Sequence, residues 1–67
     1  MKVNVTPCFG DRSYYRFSFS VDHFGNNKEE YFRINGEEWS RKIASEALDI
    51  IEQLYGVLRY KIRFIHK

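Results

Sequence analysis

The stretch NGEEWSRKIASEALDIIEQLYG, residues 35–56, is the only part of the chain whose apolar residues repeat with a helical period. Trp39, Ile43, Ala47, Ile50, Ile51 and Leu54 follow one another mostly at steps of three and four, which at 100° per residue collects them on one stripe. Ala44, Leu48 and Tyr55 widen that stripe, and Arg41, Lys42, Ser45, Glu46, Asp49, Glu52 and Gln53 cover the rest. An apolar sector this wide is made to lie on a sheet rather than in a coiled-coil seam. The residues at its ends predict a helix over 36–55. Asn35 is positioned to cap the start in a box with Glu38, and Gly56 to end it in the left-handed conformation. Glu37 with Arg41, Glu38 with Lys42, and Lys42 with Glu46 stand four apart on the solvated side.

Outside this stretch the period is two. Lys2 to Phe9 alternates, with Val3 and Val5 on one parity, and predicts a first strand over 2–9. Pro7 cannot donate to a ladder, so this strand belongs at an edge or ends near Thr6. Gly10-Asp11-Arg12-Ser13 is a turn by composition. The strand over 13–22 is the clearest in the chain: Tyr15, Phe17, Phe19 and Val21 face one way, and Tyr14, Arg16, Ser18, Ser20 and Asp22 the other. Residues His23 to Lys28 reverse the chain, and a return strand over 29–34 follows with Phe32 and Ile34 inward. A last strand over 57–66 places Leu58, Tyr60, Ile62 and Phe64 inward and Arg59, Lys61 and Arg63 outward. No internal repeat, linker or low-complexity tract divides the chain.

These elements predict one α+β domain spanning 1–67, a two-layer β-β-β-α-β unit. It has a mainly antiparallel sheet of three to four strands with a single amphipathic helix on one face. Two strand orders satisfy the pattern. In one, the central strand sits between the last strand and the 29–34 strand. In the other, the first three strands form a meander and the last joins one edge through a crossover.

With 67 residues there is one small core, and self-association is one way such a chain gains stability. A single cysteine, Cys8, excludes an intrachain disulfide and any cysteine-based zinc site. No charged head with an apolar run marks a signal peptide, and no stretch has the length of a membrane span, so the expected location is the cytoplasm with no membrane partner. The candidate chemistry is thin. His23 beside Asp22 lacks a nucleophile at any known spacing, His66 stands apart from it, and Gly25-Asn26-Asn27 lacks the glycine spacing of a phosphate loop. The expectation is no enzymatic activity, no metal and no cofactor.

One helix covers one face of a sheet, so the other face is free. That face collects Arg16, Arg33, Arg59, Lys61 and Arg63 with Tyr14 and Tyr31, while the solvated helix side carries Glu46, Asp49 and Glu52. The reading that follows is a non-catalytic protein that binds an acidic protein surface, with these five cations as charge contacts and the two tyrosines as anchors. The alternative is a nucleic-acid-binding module on the same face, with cations on phosphates and tyrosines under bases. The bland reading is that alternating cations only keep a sheet soluble. A homodimer through Tyr14, Tyr31, Ile65 and the Leu48 flank is a further expectation.

The order hairpin, helix, basic strand from Tyr14 to Lys67 resembles the layout of small host RNA polymerase inhibitors made by some podovirus-type phages. In such a layout Arg59, Lys61 and Arg63 occupy alternate positions of the last strand. The first strand, Lys2 to Phe9, is an addition to that layout, and a strongly acidic strip is missing. The resemblance implies a phage or mobile-element accessory protein that blocks a host machine of transcription or defence.

Overall fold

The computed structural model describes residues 1–67 and shows a two-layer α+β fold, with four strands in one mixed sheet and one helix packed on it. In chain order the elements are β1 (Lys2–Phe9), β2 (Ser13–His23), β3 (Asn26–Asn35), α1 (Arg41–Tyr55), a short 3-10 turn (Arg59–Lys61) and β4 (Arg63–His66). The strands lie in the order β3-β2-β1-β4.

Of the two orders open to the sequence, the meander holds. The tight turn after Phe9 returns β2 directly alongside β1, from Asn4 opposite Ser18 to Phe9 opposite Ser13. The next turn brings β3 along the other side of β2. Both edges of β2 are then occupied, and β4 joins β1 instead, parallel to it, with Lys2 opposite Arg63 and Val5 opposite His66. The chain from β3 to β4 therefore crosses the whole sheet, and α1 is the element that makes the crossing. β1 is interior only along Lys2–Val5, the residues that β4 reaches. Pro7 lies past that pairing, where the missing N–H costs no ladder bond.

Three boundaries differ from the sequence reading, each for a physical reason. First, the helix starts at Arg41 rather than 36. Asn35 is still in β3 opposite Tyr14, and the Gly36 N–H donates to the Ser13 carbonyl at 3.1 Å, so the ladder holds the chain extended there. The cap is Ser40, whose Oγ accepts from the Ile43 N–H at 3.3 Å. Glu37 and Glu38 precede the helix, and the Glu–Arg and Glu–Lys pairs expected along it do not form. The C-terminal reading holds: Gly56 sits at φ 66° and its N–H donates to the Glu52 carbonyl at 2.9 Å.

Second, β4 begins at Arg63 rather than 57. Its pairing with β1 starts at Lys2 opposite Arg63, so the residues before Arg63 have no strand alongside them. They close a 3-10 turn instead, with the Lys61 and Ile62 N–H groups donating to the Leu58 and Arg59 carbonyls. Leu58 and Tyr60, read as core from their parity, are 52% and 78% exposed. Leu54, on the helix stripe, is 69% exposed, while Tyr55 beside it packs edge-on against Phe19.

Third, β2 and β3 are longer than expected and close in a two-residue loop, Phe24-Gly25, at φ 51° and 83°. Positive φ at both positions is the type I′ signature, whose twist matches the flanking strands.

The core is Val3, Val5, Tyr15, Phe17, Phe19 and Ile34 from the sheet with Ile43, Ala47 and Ile51 from the helix. Trp39, just before the helix, lies with its ring centre 5.5 Å from that of Tyr15, 5.9 Å from Phe17 and 5.6 Å from Phe64. This aromatic plug accounts for the non-helical linker: the chain bends at Glu37 and Glu38 and seats Trp39 against sheet residues before the helix begins. Gly36 leaves room for the same closure, since a Cβ there would run into Ile43 Cδ1.

Candidate functional site: an arginine and tyrosine lattice on the open face

The alternation of β2 and β3 sends Tyr14, Arg16, Ser18 and Ser20 and their partners Asn35, Arg33, Tyr31 and Glu29 to the face away from the helix. β1 adds Lys2, Asn4, Thr6 and Cys8, and β4 adds Arg63 and Ile65. Arg16 and Arg33 are directly opposite each other. Because the Gly36–Ser13 bond belongs to the same ladder, the odd-numbered β2 residues form its hydrogen-bonded pairs, and the Arg16–Arg33 pair is the closer, non-bonded type.

Two like charges facing each other across a strand pair are unfavourable. The structure relieves this by spreading them along opposite diagonals. The Arg16 guanidinium lies over the Tyr31 ring at 4.5 Å from its centre, and the Arg33 guanidinium over the Tyr14 ring at 5.3 Å. Each stack contributes about 0.5–1 kcal/mol at an exposed site.

The arrangement has a local two-fold. Tyr14-Tyr15-Arg16-Phe17 and Tyr31-Phe32-Arg33-Ile34 share the pattern tyrosine, aromatic, arginine, apolar, and antiparallel pairing superposes one on the other about the Arg16–Arg33 pair. The sequence reading found no internal repeat. This one is too short to stand out in the chain and acquires meaning only once the register is fixed.

Neither arginine has a carboxylate within ion-pairing distance, and the same is true of Arg63 and Lys2; the ion pairs of the molecule belong to Arg59 alone. Glu29, the acidic residue on this face of β3, accepts from Ser20 Oγ at 2.6 Å and pairs with no cation.

Of the residues singled out from the sequence, Tyr14, Arg16, Tyr31 and Arg33 come together, and Arg63 stands two strands further across, opposite Lys2. Arg59 and Lys61 do not join them, because they sit in the 3-10 turn rather than on β4. Arg59 is turned onto the helix, where it donates to Glu52 and Asp49. The hydrogen bond to Glu52 is the main reason its pKa is raised above the ordinary arginine value, with both carboxylate charges adding to it. The layout with three cations at alternate positions of a last strand therefore reduces to Arg63. Lys2, outside the original set, is the cation that the parallel β1–β4 pairing adds. Its signal in the sequence was its parity with Asn4 and Thr6, but the partner strand was hidden until the sheet order was known.

Elsewhere, His66 packs edge-on against Trp39 at 4.5 Å and lies on the helix side of the sheet. His23 is at the hairpin tip, its ring 4.7 Å from that of Phe24. Compared with protein-family models, with curated proteins and with solved structures, the chain matches none.

Proposed function

We propose that this protein is a non-catalytic binder that docks the open face of its sheet on an acidic surface of a protein partner, as an inhibitor or accessory subunit acts by occupying the surface of a larger machine. The observation that carries the reading is the pair of exposed guanidiniums, Arg16 and Arg33, held flat on Tyr31 and Tyr14 with no carboxylate of their own. A stacked guanidinium keeps its N–H edge free and loses less freedom when it meets a carboxylate, so it is prepared for bidentate pairing. Arg63 and Lys2 extend the positive surface towards β4.

The same geometry weighs between the two classes of macromolecule. Stacking of nucleobases needs an open tyrosine face, and here a guanidinium lies over each of these rings. What the lattice offers outward is the edge of each arginine, which suits carboxylates on a folded surface.

The test is affinity capture from the source cell with the unmodified protein and with Arg16→Glu/Arg63→Glu, two exposed positions whose reversal leaves the core untouched. A partner captured by the first and lost by the second is the expected result. Capture that is unchanged by the double reversal overturns the proposal. So does a steeply salt-dependent shift of mixed-sequence DNA or RNA in the absence of any protein partner, which assigns the face to nucleic acid instead.

A further inference from the structure

The outer edge of β3 is a strand edge ten residues long, without proline or bulge, at the end of the sheet. The opposite end of the sheet closes with β4, which is four residues long. Native sheets blunt long edges, because a row of unpaired N–H and C=O groups is a template for another strand. The ladder direction fixes which groups are free. Gly36 donates to Ser13, and Gly36 has the parity of Ile34, Phe32 and Glu30, so those residues bond inward to β2. Asn27, Glu29, Tyr31, Arg33 and Asn35 then direct their backbone groups to the open edge.

The geometry points to a second copy of this chain as the occupant of that edge, paired antiparallel through β3 about a two-fold at Tyr31. Faces are preserved when two sheets join edge to edge about such an axis, so a residue can meet only residues of its own parity. Centring the pair on Tyr31 sets Glu29 opposite Arg33 of the second copy and Arg33 opposite Glu29 of the second copy, giving two ion pairs around a central tyrosine pair. Asn27 meets Asn35 at the ends, and on the helix side Lys28 meets Ile34 and Glu30 meets Phe32, with no like charges face to face.

Neighbouring registers fail. Centring on Glu29, Glu30 or Arg33 places that residue against its own copy, and centring on Phe32 pairs no charges at all. The charges that guard this edge against strands in general are thus complementary to one register of itself. The charges that make those pairs are uncompensated within the chain: Glu29 accepts only from Ser20 and Arg33 lies over Tyr14, and neither has an opposite charge within ion-pairing distance. The product is a continuous eight-stranded sheet with both helices on one face and both arginine and tyrosine lattices fused on the other.

This inference stands apart from the identity of any acidic partner, and it is tested by mass alone. Sedimentation equilibrium of the unmodified chain across the micromolar range is expected to give twice the 8.1 kDa chain mass. Glu29→Arg and Arg33→Glu are each expected to sediment as monomers, since each sets like charges together at both positions, with circular dichroism checking that both remain folded. Mixing the two variants is expected to restore the doubled mass, because each then supplies the charge that the other lacks. In a Cys8→Ser background, Tyr31→Cys is expected to cross-link to its own copy under mild oxidation, as only this register brings position 31 face to face with itself. A monomeric unmodified chain, a dimer indifferent to both reversals, or a mixture that stays monomeric overturns the assignment.

Discussion

Replacing Phe24 by asparagine should make the protein more stable although it removes an aromatic ring. Phe24 is the first residue of the two-residue β2–β3 loop and holds φ at 51°, the only residue other than glycine with a positive φ. A bulky side chain in that region crowds the following carbonyl and costs roughly 1–2 kcal/mol, whereas asparagine tolerates it and is the preferred residue at this position of a type I′ turn. The ring does little to offset the strain: it is 92% exposed, and its one ring contact is the edge of His23 at 4.7 Å. Allowing about 0.5 kcal/mol for that contact leaves a net gain of about 0.5–1.5 kcal/mol.

At roughly 2.1 cal/mol/K per residue, a 67-residue chain gains about 0.14 kcal/mol/K on unfolding, so the melting temperature should rise by about 4–11 °C. Differential scanning calorimetry reads this directly, with Phe24→Leu as control: leucine keeps the strain, so its melting temperature should not rise. An unchanged or lowered melting temperature for Phe24→Asn, or an equal rise for Phe24→Leu, would refute the strain argument. A ring kept at such a cost on a projecting hairpin tip would then have to be stabilising the fold by a contact that the geometry does not contain.

Other perturbations follow from single contacts. Ile51→Ala empties a fully buried site between helix and sheet and should cost about 2–5 kcal/mol, which in a chain of this size approaches the whole stability; urea unfolding would show a collapsed midpoint. Gly56→Ala forces a Cβ into the left-handed region where there is open space but no relief of the backbone, and should cost about 1 kcal/mol in the same assay. Ser40→Ala removes the helix cap for about 1 kcal/mol, while Asn35→Ala, which removes the residue the sequence nominated as cap, should leave helix content by circular dichroism unchanged. Tyr55 has its pKa raised by burial and, secondarily, by Glu30. Its unfolded form therefore ionises first as pH climbs past the ordinary value of 10.0, so stability should fall above that pH and level off past the folded pKa. Tyr55→Phe should flatten that part of the alkaline stability curve.

Much of the layout was legible because it depends on local periodicity. The period-two runs located β1, β2 and the core of β3, and the helical stripe located α1 with its glycine stop. The errors came where a local rule met a longer-range constraint. Asn35 has cap chemistry, but the β2–β3 ladder holds it in strand, and Trp39 is seated among Tyr15, Phe17 and Phe64 ahead of the first turn, so the cap is Ser40. Leu58 and Tyr60 alternate with Arg59 and Lys61 as a strand would, yet the register of β4 on β1 begins only at Arg63. Alternation describes what a strand would look like and carries no information on whether a neighbour is present to pair with it.

The sequence by itself determined that this chain has one helix with a wide apolar sector and hence one uncovered sheet face, and that Tyr14, Arg16, Tyr31 and Arg33 belong to that face. Those facts follow from side-chain parity, which is set residue by residue. Tertiary structure alone decided which cations act together. Pairing brought Arg16 against Arg33 and let each lie on the other strand's tyrosine, and the parallel β1–β4 contact brought Lys2 beside Arg63. It also withdrew Arg59 to the carboxylates of Asp49 and Glu52. Register and sheet order are properties of residue pairs far apart in the chain, so the lattice on the open face and the unpaired edge of β3 became visible only when the strands were laid side by side.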